Sequence, residues 1–189
     1  MKDDSADTEH RLLIAGFGGQ GVLTLGKILC RAAMSEGKTV TYLPAYGPEV
    51  RGGTANCQVV IGRSTIYSPL VEQADSQIIL NQLSYERFGA TIRPGGLMLV
   101  NSSGVETEAA PIRPGVRLLP LPAAEIAVEL GDVRVTNVVM LGAFVQVTGL
   151  VKAATCEAAL ADLLGRRKAA LFELNKRAFA RGMELGDGG

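Results

Sequence analysis

The sequence of 189 residues has no tryptophan, one histidine, three cysteines, and only 5% aromatic residues. Cys30, Cys57 and Cys156 lie far apart, and no C-x-x-C pair exists. That spacing excludes a disulfide framework and a local zinc or iron–sulfur motif. The three are expected as buried small side chains in a reducing cytoplasm. The lone His10 sits in the polar opening "MKDDSADTEH", expected as a frayed tail over residues 1–10. That opening lacks the apolar core of a signal peptide. Net charge is also lacking: 19 basic residues face 19 acidic ones. No global field therefore draws in nucleic acid or an acidic membrane. Long apolar runs are missing as well. The longest uncharged stretch, "TNVVMLGAFVQVTGLV" from Thr136 to Val151, carries Asn137, Gln146 and two glycines. It is shorter than the roughly 20 apolar residues of a membrane span.

Glycine and alanine are abundant instead, a mix suited to closely packed α/β folds. "RLLIAG" predicts a first strand at Arg11–Ala15, and Gln20–Glu36 a helix. Its Val22, Leu25, Leu29 and Ala32 recur at helical spacing, and Gly37 stops it. "KTVTYL" and "ANCQVVIG" are strands two and three, with "STIYSP" as a short hairpin partner. "SQIILN" and "GLMLVN" are core strands with a helix between them, "VRLLPLP" a last strand and "AAEIAVELG" a short helix. The rhythm predicts a Rossmann-like α/β fold, a mostly parallel sheet with helices on both faces. Thr136–Val151 reads as a helix apolar on nearly all sides, to be buried either centrally or against another subunit. The C-terminal segment reads as one or two amphipathic helices ending at Gly182. One domain is expected over 11–182, with a second tail at 183–189.

After the first strand, "GFGGQG" places Gly16, Gly18 and Gly21 in a G-x-G-x-x-G pattern, with Gly19 as an extra glycine. Such a loop turns tightly and lets backbone N–H groups approach a ligand at a helix N-terminus, which favours anions. A dinucleotide site also wants an acid at the end of strand two. Here that place holds "TYLP", which argues against NAD. "GVLTLGK" imitates a P-loop, but Ile28 follows Lys27 where a hydroxyl would hold magnesium, so an NTPase is rejected.

The loop after strand two, "AYGPEVRGGTANCQVVIG", combines the stiff Pro48, the flexible Gly47, Gly52 and Gly53, and the opposite charges Glu49 and Arg51. In a parallel sheet it leaves from the same carboxyl edge as the glycine loop, where ligands of open α/β sheets bind. From the residues alone it is either a well-made turn with an ion pair or part of a site.

"GFGGQGVLTLGKIL", then "YGPEVRGGTANCQVVIG", then "NVVMLGAF" at Asn137–Phe144 together resemble the gamma subunit of the 2-oxoacid:ferredoxin (acceptor) oxidoreductases. The resemblance runs from about Leu12 to Arg181. The "YGPEVRGGT" form is closer to the 2-oxoglutarate and branched-chain 2-oxoacid branches than to the pyruvate branch. It implies a cytoplasmic complex that oxidatively decarboxylates a 2-oxoacid. Thiamine diphosphate with magnesium, iron–sulfur clusters and coenzyme A (CoA) serve in the assembled complex, and none of the bound cofactors sits in this chain. Alpha and beta subunits are the implied partners, with a ferredoxin-like delta subunit. The isolated chain is expected to be inactive and to hold no catalytic or metal residue. Two roles stay open for the carboxyl edge. Tyr46, Gly47, Pro48, Glu49, Arg51, Gly52, Gly53, Thr54 and Asn137 could meet a neighbouring subunit or substrate. Gly16, Gly18, Gly19 and Gly21 could hold CoA phosphates. The competing classes are a stand-alone Rossmann-like oxidoreductase and a regulatory ligand-binding module.

Overall fold

The computed structural model describes residues 9–46, 53–109, 113–165 and 169–187. Six strands form one sheet in the order β2-β3-β1-β4-β5-β6. Strands β1 (His10–Phe17), β4 (Ala74–Ile79), β5 (Ile92–Asn101) and β6 (Arg117–Leu121) run parallel. Strands β2 (Thr39–Tyr46) and β3 (Thr54–Gly62) form an antiparallel hairpin, and β3 also pairs antiparallel with β1. Two reversals return β2 to the direction of β1. Both strands therefore end at the same edge, with β3 beginning between them. The expected common carboxyl edge is real, although it is reached through an antiparallel strand.

The central strands are buried on both faces, as parallel strands covered by helices should be. Their side chains alternate between two cores. Leu12, Ile14, Ile78 and Leu99 enter the larger one, and Ala15, Ile79, Met98 and Val100 the smaller. Helices α1 (Val22–Ser35), α3 (Ala123–Leu130), α4 (Thr136–Thr148), α5 (Ala153–Leu160) and α6 (Ala169–Asp187) lie on the larger side. Helix α2 (Gln82–Phe88) sends the fully buried Tyr85 into the smaller core. Each such aliphatic or aromatic burial stabilises the fold by about 1.5–3 kcal/mol. Helix α1 follows its expected stripe, with Val22, Leu25, Leu29 and Ala32 all buried. Gly37 closes it at φ 75°, its N–H donating to the Met34 carbonyl while Lys38 N–H donates to Ala33.

Several expectations change. His10 is not in a tail: it opens β1 opposite Ile61. Its Nε2 lies 3.0 Å from Ser76 Oγ, and its ring meets Phe144 edge-on at 6.3 Å. "STIYSP" forms no strand. Pro69 has no N–H to give a ladder, and side chains take the neighbouring backbone groups instead. Arg11 Nη1 donates to the Leu70 carbonyl at 2.7 Å, and Val71 N–H donates to Gln58 Oε1 at 2.6 Å. The C-terminal segment is α5, a π-type turn at Ala161–Gly165, and α6, which passes Gly182 and runs to Asp187. Gly182 does not stop the helix because it serves a helix crossing. A Cβ there would lie 2.0 Å from the Val139 carbonyl oxygen, and one on Gly142 would lie 2.1 Å from that of Phe179. This contact with α6 helps bury α4, whose residues Asn137–Val145 are all buried within the chain itself. Its apolar surface is consumed internally, so α4 offers no docking face. Cys30, Cys57 and Cys156 are free and buried, and burial pushes each thiol up to about 12. Among the described residues, no helix is long and apolar enough to cross a membrane.

Candidate functional site

At the carboxyl edge the chain leaves β1 toward one face and β4 toward the other. Helix α1 goes to the larger core and α2 to the smaller. This divergence between adjacent strands is the crevice at which open α/β sheets bind ligands. The glycine loop lies across it.

The four loop glycines divide by physical role. A Cβ on Gly16 would sit 2.7 Å from Gln20 Oε1 and 2.9 Å from Val22 Cγ2, so Gly16 is there for packing. Gly21 adopts φ 76° as the N-cap of α1, and its Cβ would lie 2.1 Å from Asn137 Nδ2. Gly19 adopts φ 97°, and none of the described residues stands within 4 Å of its Cβ position. Gly18 requires no positive φ, and among the described residues the nearest atom to its Cβ position is the Gly53 carbonyl oxygen at 3.8 Å. Among the described residues, Gly18 and Gly19 therefore have an open side.

Two loop N–H groups are satisfied within the chain. Gly18 N–H donates to the Gly53 carbonyl at 3.1 Å and Gln20 N–H to that of Phe17 at 3.2 Å. Gln20 Oε1 accepts from Phe17 N–H at 2.7 Å and from Asn81 Nδ2 at 3.2 Å. Among the described residues, the N–H groups of Gly19 and Gly21 have no acceptor. The first turn of α1 has none by helix geometry, and Gly21 supplies no side-chain cap.

The neighbouring helix ends show a contrast. Asn81 Oδ1 accepts from Ser84 N–H at 2.8 Å and caps α2. Asn101 Oδ1 accepts from Ala124 N–H at 3.1 Å in the first turn of α3. Helix α1 has no such side-chain cap, whereas α4 continues a 3-10 turn at Val133–Val135 whose first N–H groups are capped by Asp132, Oδ1 accepting from Arg134 N–H at 2.9 Å. The two helices meet where Asn137 Nδ2 donates to the Gly21 carbonyl at 3.3 Å. Asn137 is buried, and its Oδ1 has no partner among the described residues. Two clefts flank this junction and share Gly19. One, of about 180 Å³, is lined among others by Gln20, Asn101, Arg134 and Thr136. The other, of about 300 Å³, runs along Gly18, Val22 and Thr24 to Tyr46, which is 72% exposed. The Arg134 guanidinium is already paired with Asp132, with Nε 2.8 Å from Oδ2. That hydrogen bond holds the Asp132 carboxyl below the usual range. Positive potential at the junction therefore comes chiefly from the end of α1, since the Asp132 carboxylate caps the turn that leads into α4.

Of the residues expected at this edge, Gly16, Gly18, Gly19, Gly21, Tyr46, Gly53, Thr54 and Asn137 do assemble around the crevice. Gly47, Pro48, Glu49, Arg51 and Gly52 lie outside the described residues. Gln20, Asn81, Asn101 and Thr136 were not expected. A signal for two of them was present: both core strands, "SQIILN" and "GLMLVN", end on an asparagine, a preferred helix cap. Among the described residues, no three His, Cys, Asp or Glu side chains gather to hold a metal.

The family model of pyruvate ferredoxin/flavodoxin oxidoreductase matches residues 11–185. The chain belongs to this family. It is 41% identical over 184 residues to ketoisovalerate oxidoreductase subunit VorA of Methanothermobacter thermautotrophicus, covering 96% of this chain and 37% of that one. The chain thus spans about a third of the length of the VorA relatives it matches. It is 35% identical over 176 residues to 2-oxoglutarate synthase subunit KorC of Methanocaldococcus jannaschii, covering 91% of each. The gamma subunit of a keto/oxoacid ferredoxin oxidoreductase from Geobacter sulfurreducens shares the fold, with a TM-score of 0.80, 29% identity, and 95% and 99% of the two chains covered. The 2-oxoglutarate:ferredoxin oxidoreductase from Magnetococcus marinus, solved with 2-oxoglutarate, coenzyme A and succinyl-CoA bound, matches with a TM-score of 0.88 and 26% identity. That match covers 95% of this chain and 31% of the other. In fold and extent this is a gamma-type chain of the family.

Proposed function

We propose that the chain completes a 2-oxoacid:ferredoxin oxidoreductase as its gamma subunit, and that its carboxyl edge holds phosphate groups of CoA. In the reaction, a 2-oxoacid, CoA and two oxidised ferredoxins give acyl-CoA, carbon dioxide, a proton and two reduced ferredoxins. Thiamine diphosphate with magnesium and the iron–sulfur clusters belong to the alpha, beta and delta partners, where the bond-breaking and electron-carrying steps occur. This chain contributes binding and orientation. The similarity to ketoisovalerate and 2-oxoglutarate subunits favours a branched-chain 2-oxoacid or 2-oxoglutarate as substrate.

The observation that carries the CoA assignment is the uncapped N-terminus of α1, which opens on clefts that share Gly19. Backbone N–H groups at helix ends bind phosphate without a basic side chain. The donors available are Gly19, Gly21 and the first turn of α1. Gly18 and Gln20 instead keep the loop in shape through their internal bonds. That internal bonding also favours a second role, in which the edge and the loop after β2 meet a neighbouring subunit. The two roles are compatible on one edge.

The test is reconstitution. Alpha and beta subunits of a 2-oxoacid:ferredoxin oxidoreductase from the same organism would be co-expressed with and without this chain, and 2-oxoacid-dependent ferredoxin reduction followed. Full activity only with the chain present is expected. Replacing Gly18 by Ala should raise the KM for CoA while leaving assembly and that for the 2-oxoacid unchanged. Undiminished activity without the chain would defeat the gamma reading. An unchanged KM for CoA in the variant would defeat the phosphate site.

A further inference from the structure

The hydrogen bonds around the glycine loop close into a circuit through α2, on the opposite face of the sheet. At the start of α2, Asn81 uses both ends of its amide. Its Oδ1 caps the helix at Ser84 N–H, 2.8 Å away, and its Nδ2 donates to Gln20 Oε1 at 3.2 Å. At the far end of α2, Arg87 Nη1 donates to Thr54 Oγ1 at 3.2 Å. Thr54 is buried and pairs with Phe17, the last residue of β1 before the loop. Next to it, the Gly53 carbonyl accepts from Gly18 N–H at 3.1 Å. The circuit thus runs from Gln20 through Asn81, α2, Arg87, Thr54 and Gly53 back to Gly18.

The Arg87 contact is unusual for an exposed arginine. Among the described residues it pairs with no carboxylate. Its guanidinium lies 5.2 Å from the centre of the Phe88 ring and reaches a neutral hydroxyl back along the helix. The planar guanidinium restrained by the ring needs less further ordering to keep that bond. The helix itself is only seven residues long and exposes Leu83 at 48%. The buried Tyr85 anchors so short a helix to the core, with its hydroxyl donating to the Thr107 carbonyl at 2.9 Å, and the Asn81 and Arg87 bonds, one at each end, tie it to the loop, which it braces.

We propose that α2 is a brace for the glycine loop and that Arg87 is its positioning residue, setting where Gly18 and Gly19 present their open side. The use of that open side for phosphate rests on the reading above; the brace itself does not. Arg87 acts through Thr54 and Gly53 and lines neither of the two clefts.

The test follows the Gly18 amide by residue-resolved hydrogen exchange in the full chain. Its N–H is held by the Gly53 carbonyl, so loosening the brace frees it. Arg87→Ala and Thr54→Val should each speed its exchange by about tenfold. The double variant should do no more than either alone, because both cut the same link. Arg87→Lys, which still offers a donor, should recover part of the protection. Amides in the β1 strand body and in α6 should be unchanged. Unaltered Gly18 exchange, or additive effects of the two substitutions, would overturn the brace. So would a uniform acceleration across the chain, which marks a merely structural arginine. CoA titration of the same variants in the reconstituted complex separates the two readings. Faster Gly18 exchange with no change in CoA affinity for any loop variant sustains the brace and removes the phosphate site. Weakened CoA binding in Gly18→Ala with unaltered exchange in Arg87→Ala removes the brace alone.

Discussion

At the scale of single residues, glycines of one loop carry different loads, and substitution separates them. Gly21 combines a left-handed backbone with a Cβ position 2.1 Å from Asn137 Nδ2. Gly21→Ala should therefore destabilise the chain by about 1–3 kcal/mol, seen as a lower urea midpoint. Gly18→Ala has neither problem and should shift stability by no more than about 0.5 kcal/mol. If Gly18→Ala melted the chain as Gly21→Ala does, the division of roles would be wrong. His10 gives a second residue-scale prediction. Burial lowers its pKa below the ordinary 6.5; Asp75 opposes that shift and Arg93 adds to it. Asp75 is held by Arg93 Nη1 at 2.6 Å and by the Arg11 N–H at 2.5 Å. Ser76 Oγ and the Phe144 ring complete the surroundings. A base whose folded pKa is depressed is bound to fewer protons in the folded state than in the unfolded one. Stability is then full above about 6.5 and falls as pH drops through that value toward the folded pKa. Thermal melts at pH 7.5 and 5.5 should show the loss, and His10→Gln should flatten it. Glu36 titrates in a lower window. Burial pushes it up, but hydrogen bonds from Lys38 and Lys152 outweigh this and hold its carboxyl below 4.5. Its contribution is present above 4.5 and disappears only as pH falls below that, so the two groups are separable.

At the scale of secondary structure, periodicity made α1 and most strands legible in the sequence. A stripe of apolar residues at helical spacing has one burial solution, and a short apolar run between glycines reads as a covered strand. What stayed hidden depended on partners far away in sequence. The antiparallel course of β3 is a matter of pairing, to which strand periodicity is blind. The continuation of α6 past Gly182 is set by a crossing with α4, where a glycine is needed for close approach and not for termination. "STIYSP" satisfied a strand pattern, yet it forms no strand, and the backbone of Leu70 and Val71 just after it bonds to the side chains of Arg11 and Gln58. The site was half legible for the same reason. Glycines announce themselves, but Gln20 and Arg87 matter only through contacts that the fold creates. The α4–α6 crossing is testable at this scale. Gly142→Ala places a methyl group 2.1 Å from the Phe179 carbonyl oxygen, on backbone that cannot swing aside. The helices must separate, at a cost of about 1–3 kcal/mol or more. A urea midpoint within error of wild type would show that the two helices can part without cost.

At the scale of the whole molecule, the sheet order decides which nucleotides the edge can take. In dinucleotide-binding folds the second strand lies beside the first, so an acid at its tip reaches the ribose of a ligand whose pyrophosphate sits on the glycine loop. Here β3 stands between β1 and β2 and runs the other way. The tip of β2 is displaced by a strand and holds the exposed Tyr46 in place of an acid. A phosphate can still rest on the end of α1, but among the described residues no carboxylate stands at the tip of β2 to meet the adenosine ribose of NAD. The chain should therefore bind neither NAD nor NADP with a dissociation constant in the low micromolar range, about −8 kcal/mol. Calorimetry on the full chain with each nucleotide, and with CoA as the contrasting phosphate ligand, measures this directly. Heat from CoA alone, abolished when Gly18 and Gly19 are replaced, fits an edge that reads phosphate without a dinucleotide's ribose. Micromolar binding of NAD would mean that a group other than a strand-two acid holds the ribose, and the stand-alone oxidoreductase reading would return.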